Sequence, residues 1–121
     1  MFELVRQSSH LVATFEGILT DDDFIRCFTE IVSISIEEPN TSLLVDLSGT
    51  ERISVGSGTV RRAADLFKSL SKSVTRKVAI IAPREEIFGM ARMYELMRPP
   101  SPSDLTVFRT ATGAKEWLGV S

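Results

Sequence analysis

Between Phe2 and Leu19 two segments read as strands, the second with alternating faces. The segments "FELVRQ" and "HLVATFEGIL" set Leu11, Ala13 and Phe15 on one side of an extended chain and Val12, Thr14 and Glu16 on the other. A period of two belongs to a strand with unlike faces, and Ser8-Ser9 between the segments predicts a turn, hence a hairpin. At Thr20 the period changes: Phe24, Cys27, Phe28, Ile31 and Ile34 recur at the i, i+3, i+4, i+7 spacing of one helix face. Thr20 offers an N-cap hydroxyl, Asp23 completes an approximate capping box, and Asp21, Asp22 and Asp23 lie where the helix dipole favours negative charge. Pro39 and Asn40 end this helix.

Beyond Asn40 the apolar positions become nearly continuous at residues 43–47 and 77–82, the pattern of strands covered on both faces. Between them Val60, Ala63, Ala64, Phe67 and Leu70 keep helical spacing, which predicts a parallel strand, helix, strand unit with a right-handed crossover. The same grammar returns in "REEIFGMARMYELM", "DLTVF" and a short helix from Thr110 to Leu118 stopped by Gly119. The prolines of "RPPSPS" forbid continuation of the third helix. The expected order is ββαβαβαβα: an α/β fold whose mixed sheet joins an antiparallel N-terminal hairpin to a parallel core, with four helices in one domain over residues 1–121.

In such sheets ligands and partners meet the loops beyond the carboxyl ends of parallel strands, where helix N-termini present unsatisfied N–H groups. Residues 48–59, 83–88 and 109–112 qualify. The first is predicted as a recognition loop of about ten residues, long for such a connection. Its Gly56-Ser57-Gly58-Thr59 turn has two readings: Ser57 or Thr59 as a helix cap with glycines making the turn, or backbone donors for an anion. No Gly-Lys-Ser/Thr follows, and Arg61 and Arg62 point about 100° apart on a helix, which disfavours a shared phosphate clamp. In the third helix Met90, Met93, Met97, Tyr94, Ile87 and Ala91 span a wide apolar arc, while Phe88 falls among Glu85, Arg92 and Glu95; Phe88 and the methionines have two readings, an exposed adaptable contact surface or the filling of a core under neighbouring loops. Trp117 and Leu118 are expected to dock the last helix on the sheet.

Catalysis and metal binding find little support. The chain has one histidine, His10, in the hairpin, and one cysteine, Cys27, on a helix face, so a Cys–His dyad is not expected. The Asp21–Asp23 run lacks the glycine and terminal glutamate of a calcium loop. Asp46, an acid in an apolar strand, is expected to satisfy the backbone that follows it. No catalytic residue, metal site or cofactor is assigned.

With 43% hydrophobic and 25% charged residues the composition is that of an ordinary globular chain, and its length suffices to bury a core without disulfides. A net charge of −2 gives no electrostatic reason to expect nucleic acid. The lone cysteine, the missing basic n-region and apolar core of a signal peptide, and the absence of a spanning apolar run point to a cytoplasmic protein without membrane insertion.

The element order, the "LLVDLSG" strand entering a small-residue loop, and the ending "KVAIIAPREEIFGMARMYELM…LTVFRTATGAKEWL" resemble the SpoIIAA-like proteins, relatives of the sulphate-transporter and anti-sigma-factor-antagonist (STAS) domain. The resemblance covers nearly the whole chain, with Phe88-Gly89 through Tyr94 and Ala114-x-x-Trp117-Leu118 its most specific parts, and it implies fold more than activity. In anti-sigma antagonists a serine of an Asp-Ser-Ser-Gly loop is phosphorylated. Ser57-Gly58 matches that serine and its glycine with one residue inserted, and the preceding Asp is absent. The kinship of this group with lipid-binding Sec14-type domains implies a hydrophobic ligand under the third helix. The expected function is thus a non-enzymatic cytosolic module that binds a partner protein, its own copy included, through Ser57, Gly58, Thr59 and Phe88, with Ser57 a candidate phosphorylation site. The alternative is a carrier for a nucleotide-like anion or a lipid at the carboxyl ends of the parallel strands.

Overall fold

The computed structural model describes residues 1–7, 9–38, 40–68, 76–97 and 104–120, with side chains for all but 64, 66–68 and 97. Expectations for Ser8, Pro39, Leu70, the side chains of Ala64, Phe67 and Met97, and the proline-rich connection lie outside the described residues. The elements are β1 (Phe2–Arg6), β2 (His10–Thr20), α1 (Asp21–Glu37), β3 (Ser42–Ser54), α2 (Ser57–Lys68), β4 (Lys77–Ile81), α3 (Glu85–Met97), β5 (Asp104–Phe108) and α4 (Ala111–Leu118), in the predicted order. The strands lie β1-β2-β3-β4-β5 across one sheet. β1 pairs antiparallel with β2, Phe2 opposite Phe15, and every other pair is parallel.

Side-chain alternation divides the core into two layers. Leu11, Ala13, Phe15, Leu43, Ile80 and Val107 point to the face covered by α1 and α3, where they meet Cys27, Ile31, Ile87 and Ala91. Leu44, Ala79 and Ile81 point to the other face and meet Ala114 and Leu118 of α4. Burying a side chain such as Leu11, 1% exposed, stabilises the fold by about 1.5–3 kcal/mol. As expected, Trp117 helps dock α4, its ring 5.7 Å from Phe108 and the Lys77 ammonium 5.1 Å above it. Thr110 caps α4 by accepting the Gly113 N–H at 3.1 Å, and Gly119 ends it at φ 76°, a left-handed conformation that favours glycine.

At the start of α1 the Thr20 hydroxyl accepts the Asp23 N–H at 3.2 Å, as the cap requires. The reciprocal half of the capping box is not made, because the Asp23 carboxylate pairs with the Met1 amino group instead. The inward face of α1 includes one residue that an apolar count omits. Ser35, 1% exposed, donates to the Ile31 carbonyl at 2.6 Å and accepts from the buried Arg76 guanidinium.

The largest departure from expectation is β3. The segment after Asp46 is not a loop of about ten residues: β3 continues to Ser54, pairing Gly17 with Thr50, Ile18 with Arg52, Leu19 with Ile53 and Thr20 with Ser54. The long β2 needs a partner for its second half, and Thr50 and Ile53 are β-branched residues suited to supply one. Two extra β3 residues are absorbed at register shifts, between Thr14/Glu16 and between Gly17/Ile18. At the first shift Asp46 Oδ1 accepts the Ser48 N–H at 2.9 Å, so the strand acid does satisfy the backbone after it. At the second, Gly17 adopts φ 74°. The connection that remains between β3 and α2 is Val55-Gly56.

Candidate functional site

Three helices that pack on or beside the first core layer, α1, α2 and α3, begin beyond the carboxyl ends of β2, β3 and β4. The first turn of α2 is held from α1. Asp21 Oδ1 accepts the Gly56 N–H at 2.9 Å, and the Asp21 carboxylate also takes a hydrogen bond from the Thr59 side chain. These two bonds, that of Gly56 first, hold the Asp21 carboxyl below its ordinary pKa. The Gly56 carbonyl in turn accepts the N–H groups of Thr59 at 3.1 Å and Val60 at 3.2 Å. Gly56, backed by a carboxylate from another helix, therefore opens α2, and neither Ser57 nor Thr59 caps it as expected. Gly56 and Gly58 are not at positive φ, and a Cβ at Gly58 would meet nothing within 4 Å, so no left-handed turn explains them.

This arrangement bears directly on the anion-carrier alternative. A helix N-terminus attracts an anion because its donors lack partners. Here the Gly56 N–H and the Thr59 hydroxyl already face the chain's own carboxylate, and a nucleotide-like anion at this edge is not supported. Ser57 and Gly58 stand exposed on the outer side of the turn, with Thr59 half-buried behind them.

Phe88 is less exposed than its place in the helical pattern predicts. It is half-buried against the core cluster that Ile53 and Val55 also join, which sets it on the same side of the sheet as the α2 turn. The Arg109 guanidinium lies 4.0 Å above its ring and 3.8 Å from Glu85. The wide apolar arc of α3 splits accordingly. Ile87 and Ala91 are buried, whereas Met90 (45% exposed) and Met93 (60%) face outward, as does Leu96 (71%), which lies outside that arc. Glu95, placed by pattern on the polar side, turns to β5 and accepts the Val107 N–H at 2.8 Å while pairing with Arg92.

The remaining chemistry-bearing residues stay apart. Burial, aided by Glu30 and Asp23, pushes the Cys27 thiol up to about 12, so at neutral pH it is a protonated core group. His10 alternates with Leu11 along β2 and so belongs to the other face of the sheet. Among the described residues no group of three or more His, Cys, Asp or Glu side chains is placed to hold a metal ion, and no helix is long and apolar enough to cross a membrane.

On that other face, beside α4, lies a cleft of about 350 Å³ floored by Val12 and Leu44 and bordered by Gln7, His10, Asp46 and Lys115. Periodicity sets Val12 on the face of β2 opposite Leu11, and the strand register then places it beside Leu44. The pattern carries no sign that α4 would cover Leu44 yet stop short of β2 and leave Val12 half-buried.

Comparison with solved structures supplies the fold. The chain is similar to an uncharacterised protein of the DUF3478 family with a SpoIIAA-like fold from Shewanella loihica, at 19% identity and a TM-score of 0.64 over 98% of this chain and 92% of that one. It is similar to the anti-sigma factor antagonist SpoIIAA in its unphosphorylated form, at 12% identity and a TM-score of 0.58 over 98% of each chain. It is also similar to the Bacillus cell fate determinant SpoIIAA in the phosphorylated form, at 14% identity and a TM-score of 0.55 over 97% of this chain and 98% of the other. No protein-family profile and no curated protein sequence matches this chain. Its fold is SpoIIAA-like, of the STAS type, as the resemblance implied.

Proposed function

We propose that residues 1–121 act as one non-enzymatic, regulatory protein-interaction module. Its contact surface is the first turn of α2, Ser57, Gly58 and Thr59, together with Phe88 and the exposed methionines of α3. The observation that carries this reading is the α2 turn itself: Asp21 anchors it from behind while Ser57 and Gly58 are exposed in front. A rigid, solvent-facing turn loses little entropy when a partner covers it. Met90, Met93 and Leu96 add an adaptable apolar area of the kind that binding surfaces use. Fold similarity to SpoIIAA, an anti-sigma factor antagonist solved in phosphorylated and unphosphorylated forms, supports a regulatory role and makes Ser57 the residue to examine for phosphorylation. The partner is a protein, a second copy of the chain included.

The experiment compares the wild-type chain with Ser57→Glu and Phe88→Glu, each first shown to fold by circular dichroism. Light scattering reads self-association, and quantitative pull-down from the native host reads other partners. Loss of at least one interaction in both variants is expected. Unchanged association and an unchanged set of captured partners would remove the proposal.

A further inference from the structure

The cleft beside α4 brings four polar side chains, Gln7, His10, Asp46 and Lys115, together with Val12, Leu44, Ile81 and Ala111. In the β2–β3 register His10 lies opposite Ser42, Val12 opposite Leu44 and Thr14 opposite Asp46, so the cleft runs along the strands with His10 at one end and Asp46 at the other. Helix α4 runs antiparallel to them: Ile81 and Ala111, both lining the cleft, mark the end near Asp46, whereas the Lys77 ammonium at the start of β4 bonds to the Trp117 carbonyl at 3.3 Å. Lys115, one helical turn after Ala111, therefore lies about 6 Å farther towards the His10 end.

Charge and hydrogen bonding differ between the two ends. His10 is only 7% exposed, its Nδ1 lies 3.3 Å from the Ser9 hydroxyl, and its Nε2 has no partner among the described residues. Lys115 forms no ion pair among them either. At the opposite end Asp46 Oδ1 is engaged by Ser48 and Oδ2 is open. Between the ends lie Val12, Leu44 and Ile81, all aliphatic. Two to four residues of strand separate the level of Asp46 from those of Leu44 and Ser42, about 7 to 13 Å.

We propose that this cleft binds a small zwitterion whose charges are held apart by an aliphatic spacer, a carboxylate meeting Lys115, His10 and Gln7 and an ammonium meeting Asp46. The class comprises ω-amino acids and molecules of similar length and charge. The two charged ends select the orientation, and the aliphatic floor favours a spacer over a compact amino acid. The cleft lies on the opposite face of the sheet from the α2 turn and Phe88, so this inference stands or falls separately from the interaction surface.

The probes are 6-aminohexanoate, hexanoate and hexylamine, titrated into the full chain and followed by calorimetry and by amide NMR shifts. The zwitterion is expected to shift the amides of Val12, Leu44 and Lys115 and to bind at least about fivefold more tightly than either singly charged probe. Lys115→Gln should erase its advantage over hexylamine. Asp46→Asn, which keeps an acceptor for the Ser48 N–H, should erase its advantage over hexanoate. Melting curves of both variants confirm that they fold, and Lys115→Gln alone suffices as a test if Asp46→Asn does not. Equal affinity for the three probes, shifts confined to the outer face of α3, or no shift at all would overturn the proposal.

Discussion

Individual side chains here are governed by what surrounds them more than by their intrinsic chemistry. Cys27 is the clearest case: a thiol 2% exposed and raised to about 12 is neither a nucleophile nor a metal ligand at neutral pH. Iodoacetamide at pH about 8, below that raised value, should therefore leave the native protein unmodified and alkylate it in denaturant, as intact-mass spectrometry would show. Rapid alkylation of the folded chain would contradict that burial. Ser35 illustrates the converse, because a hydroxyl on the inward face of α1 stays inside by donating to Ile31 and accepting from Arg76. Phe88 belongs with these two, since the aromatic ring in a nominally polar arc is half-covered by the core and by Arg109.

Two carboxylates leave their own helices to join neighbouring elements. Asp21 joins α1 to the start of α2, and its lowered pKa fixes the sign of a pH effect. The contribution is complete above the unfolded carboxyl value, about 4, and is lost as pH falls through the lower folded value. Asp21→Asn, which keeps an acceptor but loses the charge, should flatten that part of the acid limb of melting temperature against pH while leaving the neutral plateau only slightly lower. An unchanged acid limb would show that the clasp contributes nothing. Glu95 joins α3 to β5, whose outer side is an edge of the sheet. By accepting the Val107 N–H it occupies a donor that would otherwise be open to another strand. Glu95→Ala should cost about 1–3 kcal/mol and speed hydrogen exchange at the Val107 amide, with increased aggregation on heating. Exchange at Val107 as slow as in the wild type would refute the edge role.

For the molecule as a whole, the sheet separates two surfaces. The α2 turn and Phe88 share the face of α1 and α3, and the cleft lies on the face only partly covered by α4. A rigid sheet with no shared side chains between the two makes their energetics additive. The double variant Phe88→Glu with Lys115→Gln should therefore show the sum of the single effects on melting temperature, within about 0.5 kcal/mol when converted to stability. A larger coupling would mean that the two faces communicate.

Much of this was legible in the residues, for a physical reason. Alternation at β2, near-continuous apolar runs at the start of β3 and in β4, and 3.6-residue spacing in the helices are local consequences of backbone geometry, so element order and the parallel core follow from them. The Thr20 cap and the Gly119 stop are equally local. Register, packing angle and coverage are not. That β3 runs on to Ser54 depends on the unpaired half of β2; that Asp21 serves α2 depends on two helix starts meeting; and that His10, Asp46 and Lys115 border one cleft depends on where α4 stops crossing the sheet. Each of these is a contact between segments distant in the chain, and only the tertiary structure sets such contacts, because many arrangements satisfy the same local periodicities and packing selects among them.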